Sequence, residues 1–271
     1  MEAAKLQVVE DADMHEGMLR KFLKNAASGF AQTFKSAWSK VLGLFEANDR
    51  IVLIDKDTPA PRVPFIKLHE AGHGSIPHQS KMYAIIHDCE KTLDPDTTDL
   101  FEREANVFAS EVLFQGPVFL QEASQMTFNV KTPISLARKF GASNYSTFRR
   151  YVTTNPHACC VVVLNPFTLE IDGTFHPELR RIIPSTTFHN IFDCLHLFAA
   201  IDHVHVIAPA IPLGNKRMTA PKEVILMDRN GQQHLCLAEG FNTKHQVFVL
   251  IRDTGAFTTV GIIVPSHYAV S

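Results

Sequence analysis

The sequence predicts an α+β protein. Apolar residues recur at helical spacing through the first half, β-branched runs dominate after Pro156, and a basic helix-turn-helix-like segment over 128–155 separates the two. The reading is a first domain over 1–127, a helical segment over 128–155 and a C-terminal α+β domain over 156–271, of sensor-like kind. With 45% hydrophobic and 20% charged residues in 271, the chain can bury a large core. A formal charge of −2 gives no bulk attraction to nucleic acid, and no run approaches the ~18 apolar residues of a membrane span. No membrane partner is expected. Acidic residues instead of an apolar stretch follow Met1–Lys5, so no secretory signal is read and the expected location is cytoplasmic.

Met18, Leu19, Phe22, Leu23, Phe30, Phe34, Trp38, Val41, Leu42 and Phe45 predict one long helix or two between His15 and Ala47, with Ser28-Gly29 as the break. Lys21, Lys24, Lys35 and Lys40 read as its solvated face. Arg50 to Asp55 is short and β-branched, and Thr58-Pro59-Ala60-Pro61 after it marks a loop. A helix carrying the motif discussed below follows, with Val63–Leu68 supplying apolar side chains. After Asp94-Pro95-Asp96 a second helix is expected from near Asp99, where Asp99 and Glu102 have capping-box spacing, to about Leu113. Glu111–Pro117 (EVLFQGP) matches the recognition sequence of a picornaviral cysteine protease.

Lys131 to Asn155 holds five basic side chains and no acidic one, and reads as helix, turn at Gly141-Ala142-Ser143, and a second helix capped by Ser143. Arg138, Lys139, Arg149 and Arg150 are its candidates for nucleic-acid contact. Tyr145, Phe148 and Tyr151, spaced three apart, favour a packed structural bridge instead. Strands are expected at Cys159–Leu164, Val204–Ala208, Val224–Met227, Leu235–Leu237, Val247–Ile251 and Val260–Val264, with Asn230-Gly231 as a type I′ hairpin turn. His203 and His205 would share a face of such a strand, but no carboxylate or third histidine stands near to complete a metal site. Five irregularly spaced cysteines argue against a disulfide framework, and Cys159 and Cys160 in an apolar run read as inert buried thiols.

The chemistry is concentrated in His69-Glu70-Ala71-Gly72-His73. Residues four apart lie on one helix face, so His69 and His73 can hold one ion as neutral imidazoles. Glu70 is offset enough to act on water as a general base. A catalytic zinc needs a third protein ligand. The helix ending near Leu113 offers Glu104, on a face with Leu100, Val107, Phe108 and Glu111, where a charge among apolar neighbours calls for a partner. For a donor to a developing oxyanion the chain offers Tyr83, His78, His87 and several later histidines, and the sequence singles out none of them.

With Glu102-Arg103-Glu104-Ala105-Asn106-Val107-Phe108-Ala109 after it, the motif resembles the ImmA/IrrE zinc metallopeptidase family, whose pattern is H-E-x-G-H and then E-A-N-x-F-A. The resemblance implies a thermolysin-like minimal zincin core of helices with a small sheet, in which the strand near Ile51–Ile54 guides an extended substrate. It implies His69, His73 and Glu104 as ligands of Zn2+, or of Mn2+, and Glu70 as base, with Glu102 the competing third ligand. Ala71 stands where the family often has Leu, a loss of packing volume. The implied activity is endopeptidase cleavage of a specific intracellular protein, a helix-turn-helix repressor by analogy, in a stress or mobile-element response. The alternatives are a DNA-binding or partner-binding regulator that keeps the core with little turnover, and a toxin-antitoxin or phage-defence component acting by partner binding.

Overall fold

The structure is a computed structural model, and it describes residues 6–12, 43–46, 51–56, 58–82 and 95–256. The chain divides into two compact units, Met1–Met126 with Ile134–Thr147 and Thr127–Pro133 with Phe148–Ser271. The division runs through the two helices of the basic segment, not beside them.

In the first unit, β1 (Gln7–Ala12), β2 (Gly43–Glu46) and β3 (Ile51–Asp55) form a sheet in the order β1-β3-β2, with β3 parallel to β1 and antiparallel to β2. Val52 and Ile54 are buried on one face, as alternation along a strand requires. Strand β2 corrects the end of the helix read from His15 to Ala47. Leu44 and Phe45 fit a helical period, but pairing with Leu53 and Val52 takes them into the sheet. The rest of that reading lies outside the described residues.

A single 3₁₀ turn, Ala60–Arg62, leads into α1 (Val63–Ser75), which has proline in its first turn where no backbone donor is needed. Helix α1 packs on α2 (Pro95–Leu113). Phe101, Ala105, Ala109 and Leu113 form the buried stripe of α2 at a spacing of four. The end at Leu113 agrees with the sequence reading, but the start does not. Pro95, with its fixed φ, opens the helix earlier, so Asp99 lies within it and caps nothing. The face assigned to Glu104 also differs, because Leu100 and Val107 are 50% and 61% exposed. Beyond the turn at Gln115 and Gly116, both at φ +53, α3 (Pro117–Ser124) begins. Phe114, Phe119 and Phe140 pack together there, with centroids 4.9, 5.4 and 6.1 Å apart.

Helices α4 (Lys131–Phe140) and α5 (Asn144–Thr153) lie where they were expected. Gly141 turns between them at φ +62, and the Ser143 hydroxyl accepts a hydrogen bond from the Ser146 amide at 3.1 Å.

The second unit is built on an antiparallel sheet in the order β5-β4-β8-β7-β6, formed by β4 (Cys159–Leu164), β5 (Leu179–Pro184), β6 (Lys222–Met227), β7 (Gln233–Asn242) and β8 (Val247–Ala256). Every residue of β4 is buried, with Cys160, Val162 and Leu164 facing a core that includes Phe188, Phe192 and Phe198. Burial pushes the Cys159 thiol up to about 12, which makes it inert at neutral pH. On the other side Phe148 stacks on Phe248 at 4.7 Å, and Tyr151 is buried, so two of the three aromatics of α5 are packing residues.

Two expected features of this unit take other forms. Residues 203–207 are turns leading into the 3₁₀ segment Ala208–Ala210, and Val204 is 75% exposed, so no strand aligns His203 with His205. Pro209 denies the segment a donor that strand pairing would need. Asn230-Gly231 lies inside a longer connection, in which the Asp228 carboxylate accepts from the amides of Asn230 and Gln232 at 2.8 and 2.7 Å. Gly231 has φ +80, whereas Asn230 is not among the residues with positive φ that type I′ requires at both positions. The strand read at Val260–Val264 lies outside the described residues. Among the described residues no helix is long and apolar enough to cross a membrane.

Candidate metal centre

The site lies where α1 meets α2. His69 and His73, one turn apart on α1, have their Nε2 atoms 3.2 Å from each other. Glu102 of α2 completes the group, with Oε2 3.2 Å from His69 Nε2 and Oε1 3.5 Å from His73 Nε2. Ligands at ~2.0–2.1 Å from a tetrahedral ion stand roughly 3.3 Å from one another, so these separations are those of three corners around one ion. His69, His73 and Glu102 thus form a group able to hold a metal, and two imidazoles with one carboxylate suit zinc.

Glu104, the third ligand expected from sequence, does not stand with the two imidazoles. Its Oε2 lies 2.6 Å from His78 Nε2 and accepts from Gln79 Nε2 at 2.6 Å. At roughly 100° per residue, two positions along α2 turn a side chain to about the opposite side, so only one of the two glutamates can face α1. The exposure of Leu100 and Val107 removes the reason for preferring Glu104. Glu70, between the two histidines on α1, is 9% exposed. Tyr83 and His87 fall outside the described residues, and His78 is engaged with Glu104.

The charges of this group are strongly coupled. Burial opposes the charged form of His73 and is the largest single influence, but the hydrogen bond to Glu102, the charges of Glu70 and Glu102 and the bond to Gln79 together outweigh it and raise its pKa. Hydrogen bonding to His69, then to His73, holds the Glu102 carboxyl well below the usual range against its own partial burial. Glu102 is therefore anionic and His73 attracts a cation, whether a proton or a metal.

Gln79, which sequence reasoning missed, lies in a helical segment over 77–82 and is fully buried. Its Oε1 is 2.8 Å from His73 Nδ1, and its Nε2 donates to the Phe101 carbonyl at 3.2 Å as well as to Glu104. Six residues from His73 and across the break at Ile76, it follows no helical spacing. Pro77, a helix-opening proline, was the only signal of a new segment there.

Residues 25–149 match the model of peptidase family M78, the IrrE N-terminal-like domain. This segment belongs to the ImmA/IrrE metallopeptidase family. The IrrE-like domain contains all of His69, Glu70, His73, Gln79, Glu102 and Glu104. No curated protein matches the chain. Among solved structures, a Mycobacterium tuberculosis transcriptional regulator is similar at 14% identity, with a TM-score of 0.49 over 92% of this chain and 76% of that one.

Of the candidates for nucleic-acid contact, Arg138, Lys139 and Arg149 are exposed and Arg150 is half-buried. Lys139 pairs with Glu122 at 2.7 Å, which lowers the charge that α4 presents.

Proposed function

We propose that the chain is a zinc-dependent endopeptidase in which His69, His73 and Glu102 hold the ion and Glu70 is the general base. The observation that carries this reading is the convergence of two Nε2 atoms and a carboxylate within 3.2–3.5 Å, one residue from a buried glutamate. When bound, zinc supplies a Lewis acid that polarises a carbonyl and brings the pKa of water toward ~7. Glu70 takes the proton of the attacking water and returns it to the departing amine nitrogen. The anionic Glu102 would balance part of the ion's charge, and Nε2 of His69 and His73 would hold it beside α1.

The strand near Ile51–Ile54 does not serve as the substrate guide expected of it. Strand β3 is hydrogen-bonded on both edges, to β1 and β2, and has no free ladder to offer. Among the described residues the sheet's edges belong to β1 and β2, and β2 contacts α1. Addition of an extended peptide at the β2 edge is the arrangement that fits. The substrate is an intracellular protein, with a helix-turn-helix repressor as the first candidate from the family resemblance.

The test is a comparison of wild type and Glu70→Gln with the protein encoded beside it as substrate. Wild type should cleave it, and Glu70→Gln should retain zinc with cleavage reduced by at least about 100-fold. Full cleavage by the variant would overturn the mechanism. A second reading, a regulator that touches DNA through Arg138 and Arg149, is favoured by the exposure of both side chains. Duplex binding that weakens with salt and is lost on Arg138→Ala and Arg149→Ala would support it.

A further inference from the structure

The amide of Gln79 can stand only one way round. Its nitrogen faces two groups that accept and cannot donate, the Phe101 carbonyl at 3.2 Å and the Glu104 carboxylate at 2.6 Å. Both N–H bonds are thereby used, and the oxygen is left to face His73 Nδ1 at 2.8 Å. An oxygen without a hydrogen can only accept there, so Nδ1 must carry the proton. On a neutral ring Nε2 is then a bare lone pair, and this is the atom aimed at His69 and Glu102. Glu102 is the rival acceptor, through Nε2, but it stands farther away, at 3.5 Å against 2.8 Å for the Gln79 oxygen.

We propose that Gln79 is a positioning residue for the metal centre. Anchored by Glu104 and the Phe101 carbonyl, it fixes His73 in the Nδ1-protonated form and turns its Nε2 lone pair to the ion. The inference rests on the zinc reading above and extends it to residues that never touch the ion. It also gives Glu104 a role, since that carboxylate, gripped from its other side by His78 at 2.6 Å, holds the donor end of the amide. His69 has no such support among the described residues, where its buried Nδ1 lacks a hydrogen-bond partner. Orientation of the pair thus enters through His73. Partners of a ligating imidazole typically contribute 10–100-fold to metal affinity.

The experiment uses the full chain, with two readouts. One is the zinc dissociation constant, measured by competition with a chromophoric chelator. The other is the two-bond proton–nitrogen correlation spectrum of His73 in metal-free protein, at a pH where the ring is neutral. Wild type should show proton on Nδ1. Gln79→Leu should bind zinc about 10–100-fold more weakly and show a mixture of tautomers. The exchanged pair Gln79→Glu with Glu104→Gln rebuilds the bond to His73 and the bond between positions 79 and 104, because the new glutamate accepts from His73 and from the new amide, while the Phe101 carbonyl loses its donor. It should recover the tautomer and most of the affinity, a rescue that packing loss alone does not predict, and it decides the matter should Gln79→Leu not fold. Wild-type affinity in Gln79→Leu, proton on Nε2 in wild type, or no recovery in the exchanged pair would overturn the proposal. If wild type bound no zinc, the metal reading would fall, while the tautomer would still decide the role of Gln79.

Discussion

Gly72 of α1 faces Ala105 of α2 so closely that a Cβ placed on Gly72 would stand 3.2 Å from the Ala105 Cα and 3.2 Å from the Phe108 ring. This contact sets the spacing of the two helices and with it the reach of Glu102 to His69 and His73. A glycine inside a helix costs about 1 kcal/mol relative to alanine, so its presence between two ligands follows from close approach and not from helix propensity. Gly72→Val should destabilise the protein by about 2–3 kcal/mol through overpacking. Zinc affinity should fall as well, because α2 is displaced as a body. Urea unfolding and zinc titration of the same variant check both effects.

The choice between the two glutamates is open to a direct comparison. Glu102→Ala should weaken zinc binding by more than about 100-fold, as expected for loss of a ligand. Glu104→Ala should weaken it by about tenfold, through the slackened Gln79 amide. Equal losses, or the reverse order, measured by chelator competition, would contradict the assignment.

The pH dependence of the metal-free protein follows from opposite shifts. His73 has a folded pKa above its ordinary 6.5, so its contribution to stability is fully present below 6.5 and is lost as pH rises through the raised value. Glu102 is shifted down from 4.5, so its contribution is present above 4.5 and is lost as pH falls toward its lowered value. The cluster should stabilise the metal-free chain most between 4.5 and 6.5. Zinc displaces the His73 proton, so its apparent affinity should fall about tenfold per pH unit below the raised pKa. Thermal unfolding with and without zinc across pH 4–9 gives both curves.

Glu111–Pro117 matches a protease recognition sequence, yet Phe114 is fully buried against Phe119 and Phe140, and Gln115 and Gly116 form a tight turn at φ +53. A protease that binds an extended strand must unfold this corner first. The native protein should resist the picornaviral enzyme under conditions that fully cleave a peptide of residues 109–119. Gel electrophoresis of the two digests decides it.

What could be read from the sequence was local. The spacing of His69 and His73, the end of α2 at Leu113, the pair α4 and α5 with Ser143 as cap, and the buried run Cys159–Leu164 all follow from short-range periodicity and turn chemistry. What escaped depended on contacts between distant segments. Choosing Glu102 over Glu104 required knowing which side of α2 meets α1, and Leu100 and Val107 gave a misleading apolar signal because they are exposed. The central place of β3 came from pairing with β1, more than forty residues earlier by the register Gln7 to Ile51. Strand β2 carried a helical pattern that pairing overrode, and Gln79 reaches His73 across the helix break at Ile76, which no periodicity spans.

The most direct test of the account is an anomalous difference map, recorded at the zinc edge on crystals of the zinc-loaded protein. The account predicts one peak bonded to Nε2 of His69, Nε2 of His73 and a carboxylate oxygen of Glu102 at ~2.0–2.2 Å, with Glu104 on His78 and Gln79. A peak held by Glu104, or no peak at the two histidines, would contradict it.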